Sequence, residues 1–341
     1  MIGIGVIGYG YWGPNLVRNL HRTDGCRMVA VSDLRTTRLK ELSKTYPAIH
    51  VSERDTDVLD DPEVDAVAIA VPAARHFEVA LKALQAGKHV LLTKPITSTS
   101  EEAMRLIDEA ERRGRVLFVD HTFVYTGAVQ KMRELVETEQ LGRIYYYDSV
   151  RVNLGLFQHD VDVVWDLAPH DISILDYVVG ARPRAVSATG MSHVEGQLEN
   201  IAYLTVFFED NLIAHMHVNW LAPVKIRRTL IGGSRRMIVY DDLEPSEKVK
   251  VYDKGLVMGE EDDRRSQLLV GYRAGDMWCP KIELTEALAV EARHFVDCID
   301  QGSRPITDGE AGLRVVRILE AASQSMRTNG RPVELLEAAV V

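Results

Sequence analysis

Short apolar segments alternate with polar or amphipathic ones through the first third of the chain. Apolar runs at Ile2–Ile7, 66–71 and 89–92 predict strands buried on both faces, as in a parallel sheet. Segments 35–46 and 76–86 have the polarity and spacing of helices. This strand–helix alternation predicts an α/β fold with a doubly wound parallel sheet.

The pattern changes after Asp120. Amphipathic helices are predicted at 127–139 and 161–179, with a strand at 144–152 between them. Six strand-like segments then follow without helices between them: 185–191, 201–208, 212–220, 226–231, 237–240 and 248–252. Such a run predicts an α+β domain with a large, mostly antiparallel, open sheet, closed by helices at 284–300 and 309–327. We therefore expect domains at 1–120 and 121–341.

A glycine-rich turn joins the first strand to a helix. Gly8, Gly10 and Gly13 form G-x-G-x-x-G, with Tyr11 and Trp12 in between. The first glycine permits a tight turn, the second lets the backbone approach a pyrophosphate, and the third lets helix and strand pack closely. In this context the motif predicts a dinucleotide site, the alternative being a glycine turn of another α/β fold.

The acid at the end of the second strand bears on which dinucleotide binds. Asp33 stands twenty residues after Gly13, where a carboxylate accepts hydrogen bonds from the adenosine ribose. A carboxylate repels a 2′-phosphate, so the sequence favours NAD over NADP. Arg35 and Arg38 could soften that preference, or they could be solvated residues of the next helix, the interpretation we favour.

Composition argues against several classes of ligand and environment. The net charge of −10 disfavours a nucleic-acid surface, and no apolar run is as long as a membrane span. The three cysteines are far apart in sequence, which predicts a reducing, cytoplasmic location without a disulfide framework or a zinc site.

Lys94 is the first candidate for chemistry. It follows the fifth strand and precedes Pro95, which restricts its backbone. Ligands of doubly wound sheets lie at the carboxyl ends of the strands. A lysine held there can stabilise a developing alkoxide. The alternative is a surface lysine beside a turn proline.

Asp166 and His170 form the second candidate. They are four residues apart in a predicted helix and so share a face. An imidazole beside a carboxylate is a natural general base. Pro169 suggests that the helix begins near Asp166. The alternative makes Asp166 an N-cap and His170 a packed histidine.

Other polar residues give weaker signals. Arg151 and Asn153 share a strand face and could meet a substrate. His215 and His217 also share a face, where they line the sheet or, as a less favoured alternative, bind a metal. We predict no metal.

Together these residues resemble the Gfo/Idh/MocA family of NAD(P)-dependent sugar and polyol oxidoreductases, over nearly the whole chain. The motifs that carry the resemblance are GYGYWGPN at 8–15, Ala70-Val71-Pro72 with His76, Lys94-Pro95, WDLAPHD at 165–171 and PITDG at 305–309. Two departures stand out: Thr93 replaces the family's usual Glu, and the segment after the sixth strand is His121-Thr122-Phe123-Val124-Tyr125, without the arginine often present there.

The resemblance implies roles for the residues that match. It implies catalysis by Lys94, Asp166 and His170. It implies a cofactor site made of Gly8, Gly10, Tyr11, Trp12, Gly13, Asp33, Leu34, Val71, Pro72, His76, Thr93, Lys94 and Pro95. It implies a substrate site made of Lys94, His121, Arg151, Asn153, Asp166 and His170.

The expected activity is hydride transfer between a sugar ring carbon and NAD. Variants such as HTFVY, RVNLGLFQ and WDLAPHD resemble members that act on nucleotide-linked sugars at carbon 3. A polyol or free-sugar dehydrogenase, a redox-neutral NAD-dependent glycosidase and a non-catalytic NAD sensor stay open. The expected assembly is a homodimer or homotetramer formed through the C-terminal sheet.

Overall fold

The computed structural model describes residues 1–155, 161–195, 197–257 and 271–335. They divide into two compact units. The first comprises Met1–Thr126 and Thr285–Arg317, and the second comprises Gly127–Leu284 and Ile318–Val341, within the described ranges. The structure therefore differs from the sequence partition, because a C-terminal stretch belongs with the N-terminal unit.

The first unit is built on a six-stranded sheet. The strands are β1 (Ile2–Ile7), β2 (Cys26–Ser32), β3 (His50–Ser52), β4 (Ala66–Ile69), β5 (His89–Thr93) and β6 (Leu117–Asp120). All pairs are parallel, in the order β3-β2-β1-β4-β5-β6. This is the strand order of a dinucleotide-binding sheet, with the reversal between β1 and β4. Strand β4 ends before Val71, so Val71 and Pro72 lie in the loop at its carboxyl end.

Helices flank this sheet. They are α1 (Gly13–Arg22), α2 (Thr36–Thr45), α3 (Asp55–Leu59), α4 (His76–Gln85), α5 (Ser100–Arg113) and, from the C-terminal stretch, α8 (Ala287–Gln301). Two short 3₁₀ turns cover Ala73–Arg75 and Thr122–Tyr125. Thr99 caps α5, since its hydroxyl accepts from the Glu102 N–H at 3.2 Å.

The second unit contains a nine-stranded sheet. Its strands are β7 (Ile144–Leu154), β8 (Pro183–Met191), β9 (Ile201–Phe208), β10 (Ile213–Asn219), β11 (Leu221–Gly233), β12 (Met237–Asp241), β13 (Val249–Tyr252), β16 (Met277–Trp278) and β17 (Val333–Glu334). Their order is β16-β13-β12-β11-β7-β10-β9-β8-β17, and among these pairs only β7 with β10 is parallel. Strands β14 (Gly255–Val257) and β15 (Gly271–Arg273) form a separate pair. The predicted mostly antiparallel sheet is confirmed.

Three further helices complete the chain: α6 (Gly127–Glu137), α7 (Val163–Val179) and α9 (Gly309–Arg327). Helix α7 begins earlier than the proline suggested, because Asp162 caps it by accepting from the N–H groups of Val164 and Trp165 at 2.8 and 3.0 Å. The alternative role of Asp166 as N-cap is therefore wrong. Pro169 lies inside the helix, and Gly180 ends it in the left-handed conformation.

Candidate functional site

The glycine-rich turn of the first unit is tightly packed at its two ends. Gly8 has φ +97°, and a Cβ there would lie 2.4 Å from the Ala70 carbonyl oxygen. A Cβ on Gly13 would lie 2.2 Å from the carbonyl oxygen of Gly8. Neither position tolerates a side chain, so these glycines are required by the turn itself.

The middle of the turn is open. Among the described atoms within 4 Å, a Cβ on Gly10 would meet only the Arg35 guanidinium, at 3.2 Å. Trp12 is the N-cap of α1, yet no described side chain caps this helix end. The first N–H groups of α1 and an open Gly10 suit a pyrophosphate. Tyr11 and Leu34 are exposed beside this turn and beside Asp33, where apolar surface would contact an adenosine.

Asp33 is already fixed for ribose recognition. Its Oδ2 accepts from the Tyr9 N–H at 2.7 Å, and its Oδ1 accepts from the Arg35 backbone and side chain at 2.8 and 3.0 Å. Burial raises the pKa of this carboxyl, but the hydrogen bonds from Arg35 and Tyr9 outweigh it and place the pKa below its usual value. Asp33 is therefore ionised at neutral pH. These residues fit NAD.

We expect Asp33→Asn to relax the preference for NAD. The amide oxygen keeps the bond from Tyr9, while loss of the charge removes the repulsion of a 2′-phosphate and releases Arg35 to meet it. The ratio of NAD to NADP affinity should fall about tenfold, the size of one charge-assisted contact. Titration of each dinucleotide tests this, with the exposed Glu111→Ala as control. An unchanged ratio contradicts the role of Asp33.

His76 ties together the carboxyl ends of two strands. Its ring is buried, with Nδ1 2.7 Å from the Pro95 carbonyl oxygen and Nε2 3.0 Å from that of Val71. The Thr93 hydroxyl lies 3.2 Å from the same Nε2 and donates to the Ile69 carbonyl at 3.1 Å. His76 and Thr93 thus hold the segments on either side of Lys94, a positioning role that the motif alone did not reveal.

Lys94 occupies the end of β5, as the sequence predicted. It is half-buried, and its peptide bond to Pro95 is cis. It is close enough to lower the pKa of His76 and of His121. Its assignment to chemistry rather than to a surface lysine beside a turn proline stays a prediction.

His121 lies directly after β6 and is fully buried. Neither ring nitrogen has a hydrogen-bond partner among the described residues. Burial, followed by the charges of Lys94 and Arg314, lowers its pKa to about 3. The imidazole is therefore neutral near pH 7 and can donate or accept. Its predicted contact with substrate stays a prediction.

We expect His121 to make the protein acid-sensitive. Between the usual pKa of 6.5 and about 3, the unfolded chain binds a proton at this residue and the folded chain does not, so stability falls as the pH falls. Between about pH 7 and about pH 5, the free energy of unfolding of the parent should fall by about 2 kcal/mol relative to that of His121→Phe. Urea unfolding at several pH values measures this, and a pH-independent difference would contradict it.

In the second unit, α7 carries Asp166 and His170 one turn apart. Asp166 Oδ2 accepts from the Trp220 indole N–H at 3.1 Å, which anchors the carboxylate to the end of β10. His170 is half-buried, and its carbonyl accepts from the Ser173 hydroxyl at 2.9 Å. The indole of Trp220 was not singled out in the sequence. A lone tryptophan at the end of a strand carries no signal for this contact.

Arg151 has a partner that the sequence did not indicate. Its Nε donates to Asp171 Oδ2 at 2.7 Å, and both side chains are buried. The opposite charges of the two side chains compensate each other in the interior. Because Arg151 lies on β7 and Asp171 on α7, the pair connects the strand to the helix that carries His170. Asn153 is half-buried farther along the same strand. Direct contact of either residue with substrate stays a prediction.

His215 and His217 line the open face of the second sheet, as favoured from the sequence. The Tyr203 ring stacks on His217 with centroids 4.5 Å apart, and His215 Nδ1 lies 3.3 Å from Asp148 Oδ1. Within the described residues, no group of three or more His, Cys, Asp or Glu side chains could hold a metal ion. Helices in the same ranges are too short or too polar to span a membrane.

Comparison with known proteins decides the family. Residues 2–121 match the model of an oxidoreductase family with an NAD-binding Rossmann fold, and residues 129–239 match the Gfo/Idh/MocA C-terminal domain. The chain belongs to the Gfo/Idh/MocA family. This family member is an oxidoreductase, and its first unit is an NAD-binding Rossmann domain.

Relatives of this family member differ in substrate. It is 30% identical to the UDP-N-acetylglucosamine 3-dehydrogenase of Acidithiobacillus ferrooxidans, over 74% of this chain and 76% of the relative. It is 24% identical to the myo-inositol 2-dehydrogenase of Thermotoga maritima, over 98% of both. The solved structure of the former enzyme superimposes with a TM-score of 0.77 at 27% identity, covering 96% of this chain and 97% of that one.

Proposed function

We propose that this protein is an NAD-dependent dehydrogenase that oxidises a ring CH–OH group of a sugar, at carbon 3 of a nucleotide-linked sugar. The observation that carries the proposal is the placement of Asp166 and His170 one turn apart on one face of α7, with Asp166 anchored by Trp220. An imidazole beside a fixed carboxylate is suited to take a proton from a hydroxyl group. The NAD-binding turn and Lys94 complete the set of groups that a dehydrogenase needs.

The proposed reaction assigns tasks to three residues. NAD, which the glycine-rich turn and Asp33 would hold, would supply the hydride acceptor. His170 removes the hydroxyl proton, and Asp166 orients His170 or binds a neighbouring hydroxyl. Lys94 donates a hydrogen bond to the reacting oxygen and stabilises its negative charge.

The choice of a nucleotide-linked sugar rests on the relatives. The UDP-N-acetylglucosamine 3-dehydrogenase shares 30% of aligned residues, against 24% for the myo-inositol enzyme. Its structure also matches nearly the whole chain at 27% identity. These likenesses favour a nucleotide sugar but leave the polyols as the second candidate, because the inositol relative aligns over more of its length.

A panel of substrates with NAD separates the candidates. UDP-N-acetylglucosamine, UDP-glucose, N-acetylglucosamine and myo-inositol would each be incubated with enzyme, and NADH absorbance followed. We expect turnover on a UDP sugar, with the free sugar a far poorer substrate. Turnover on myo-inositol alone would contradict the proposal and indicate a polyol dehydrogenase. Release of free sugar without NADH would indicate a redox-neutral glycosidase.

The open face of the second sheet supports the predicted self-association. Tyr146, Tyr203 and Ile213 are exposed on this face, and Ile213 stands opposite Tyr146 in the β7–β10 register. Exposed apolar surface of this kind favours a protein contact over solvent. We propose a homodimer or homotetramer formed through this face, which sedimentation of the intact chain would test.

A further inference from the structure

Two carboxyl groups of the first unit are buried against each other. Asp120 ends β6 and is 3% exposed, while Glu291 lies in α8 and is fully buried. The two carboxyl groups lie within hydrogen-bonding reach of one another, and a bond between them requires a proton on one of them. They are 171 positions apart in sequence, and the proposed reaction uses neither of them.

The hydrogen bonds that described residues donate to this pair go to Asp120, although the Thr122 hydroxyl also lies near enough to Glu291 to lower its pKa. Asp120 Oδ2 accepts from the Trp12 indole N–H at 2.5 Å, and Asp120 Oδ1 accepts from the Thr122 N–H at 3.2 Å and from the Thr122 hydroxyl. With both carboxyl groups ionised, neither oxygen of Glu291 has a hydrogen-bond partner among the described residues. Two carboxylates cannot hydrogen-bond without a proton between them, so the donor-poor Glu291 is the one that carries it.

Among the described residues, no positively charged side chain lies against Glu291 to hold a second anion there. Trp12 and Thr122, which contact the pair, are neutral, and Tyr125 of the 3₁₀ turn lies near Glu291, with the His294 ring 5.7 Å from the Tyr125 ring. Burial lowers the pKa of His294, whose Nε2 accepts from the Ile306 N–H at 3.1 Å, so this ring is neutral as well. Burial and the neighbouring Asp120 raise the pKa of Glu291 well above its usual value.

We propose that a protonated Glu291 donates to an ionised Asp120, and that this pair, through the Trp12 indole, positions the glycine-rich turn for NAD. Trp12 is the N-cap residue of α1, and no described side chain caps that helix end. The hydrogen bond from its indole N–H to Asp120 connects the turn to the end of β6. Glu291 acts as a positioning residue: it keeps Asp120 satisfied, and Asp120 holds Trp12.

The first test looks for the proton. The infrared spectrum of the intact protein near neutral pH should contain the carbonyl stretch of a protonated carboxyl group, and Glu291→Gln should remove it. Asp300→Asn, an exposed acid on the same helix, should leave that band in place. A band that survives in Glu291→Gln, or its absence from the parent, overturns the proposal.

The second test measures NAD binding by calorimetry without any sugar, so it is independent of the proposed substrate. Glu291→Leu deprives Asp120 of a donor and should weaken NAD binding about tenfold, and Trp12→Phe, which replaces the indole by a smaller ring without an N–H, should do likewise. Glu291→Gln supplies an amide donor and should restore most of the affinity. If Trp12→Phe binds NAD as tightly as the parent, or if the leucine variant loses thermal stability without losing affinity, the pair is merely structural and the proposal fails.

Discussion

Lys94→Ala should abolish most turnover while leaving NAD bound. The ammonium group at the end of β5 is assigned to the reacting oxygen, where negative charge develops as the proton leaves. Removing one such donor costs about 10²–10³ in kcat, or roughly 3–4 kcal/mol. NAD affinity should change little, because the contacts of the glycine-rich turn and Asp33 remain. Steady-state kinetics and NAD titration on the same preparation measure the two quantities.

The matched control for this variant is Lys82→Ala. Lys82 is an exposed lysine of the same unit, paired with Glu78 at 2.6 Å four residues away on α4. Its loss should leave kcat unaltered. If Lys94→Ala turns over at the parental rate, the oxygen-stabilising role is excluded. If NAD affinity collapses in parallel with kcat, Lys94 serves the cofactor instead.

His170→Asn should produce the second large loss. Asparagine preserves polarity and approximate size, but it cannot accept a proton from the substrate. General-base catalysis contributes about 10²–10⁴ in rate, so kcat should fall by that factor with NAD binding retained. The rate should also rise steeply with pH in the variant, because hydroxide in solution must then remove the proton.

His50→Asn is the corresponding control, since His50 is an exposed histidine on the edge strand β3. Its kinetics should match those of the parent at every pH. A parental rate in His170→Asn would assign the proton transfer to another group. A loss of thermal stability equal in both variants would point to a general effect of removing a histidine.

The architecture was largely readable from hydrophobic periodicity. Continuous apolar runs such as 66–71 predicted the parallel strands, and uninterrupted strand segments predicted the antiparallel sheet, because buried faces impose these periods locally. The missed elements, among them α3 (Asp55–Leu59) and the two-residue strands β16 and β17, are short. Pairing with neighbours defines such elements more than local pattern does.

The start of α7 shows how a local rule can mislead. Pro169 favoured a helix beginning near Asp166, because proline is well tolerated in a first turn. The cap formed by Asp162 places the start at Val163, so that the proline is accepted inside the helix. The same shift moves Asp166 and His170 fully within α7, which preserves their common face.

The site was predictable where it follows strand ends and was hidden where it depends on long-range contacts. Gly8, Asp33 and Lys94 each follow a strand, so topology alone places them at one edge of the first sheet. Asp171 as the partner of Arg151, and Glu291 as that of Asp120, come from distant segments. No spacing rule links such residues, and only the folded chain shows that they meet.

Isotope transfer tests the central claim most directly. UDP-N-acetylglucosamine carrying deuterium at carbon 3 would be incubated with the enzyme and NAD, and the dinucleotide product examined by mass spectrometry. The proposed reaction predicts deuterium in the reduced dinucleotide together with a 3-keto nucleotide sugar. Unlabelled NADH, or no reduced dinucleotide while the same enzyme preparation oxidises a free polyol, would contradict it.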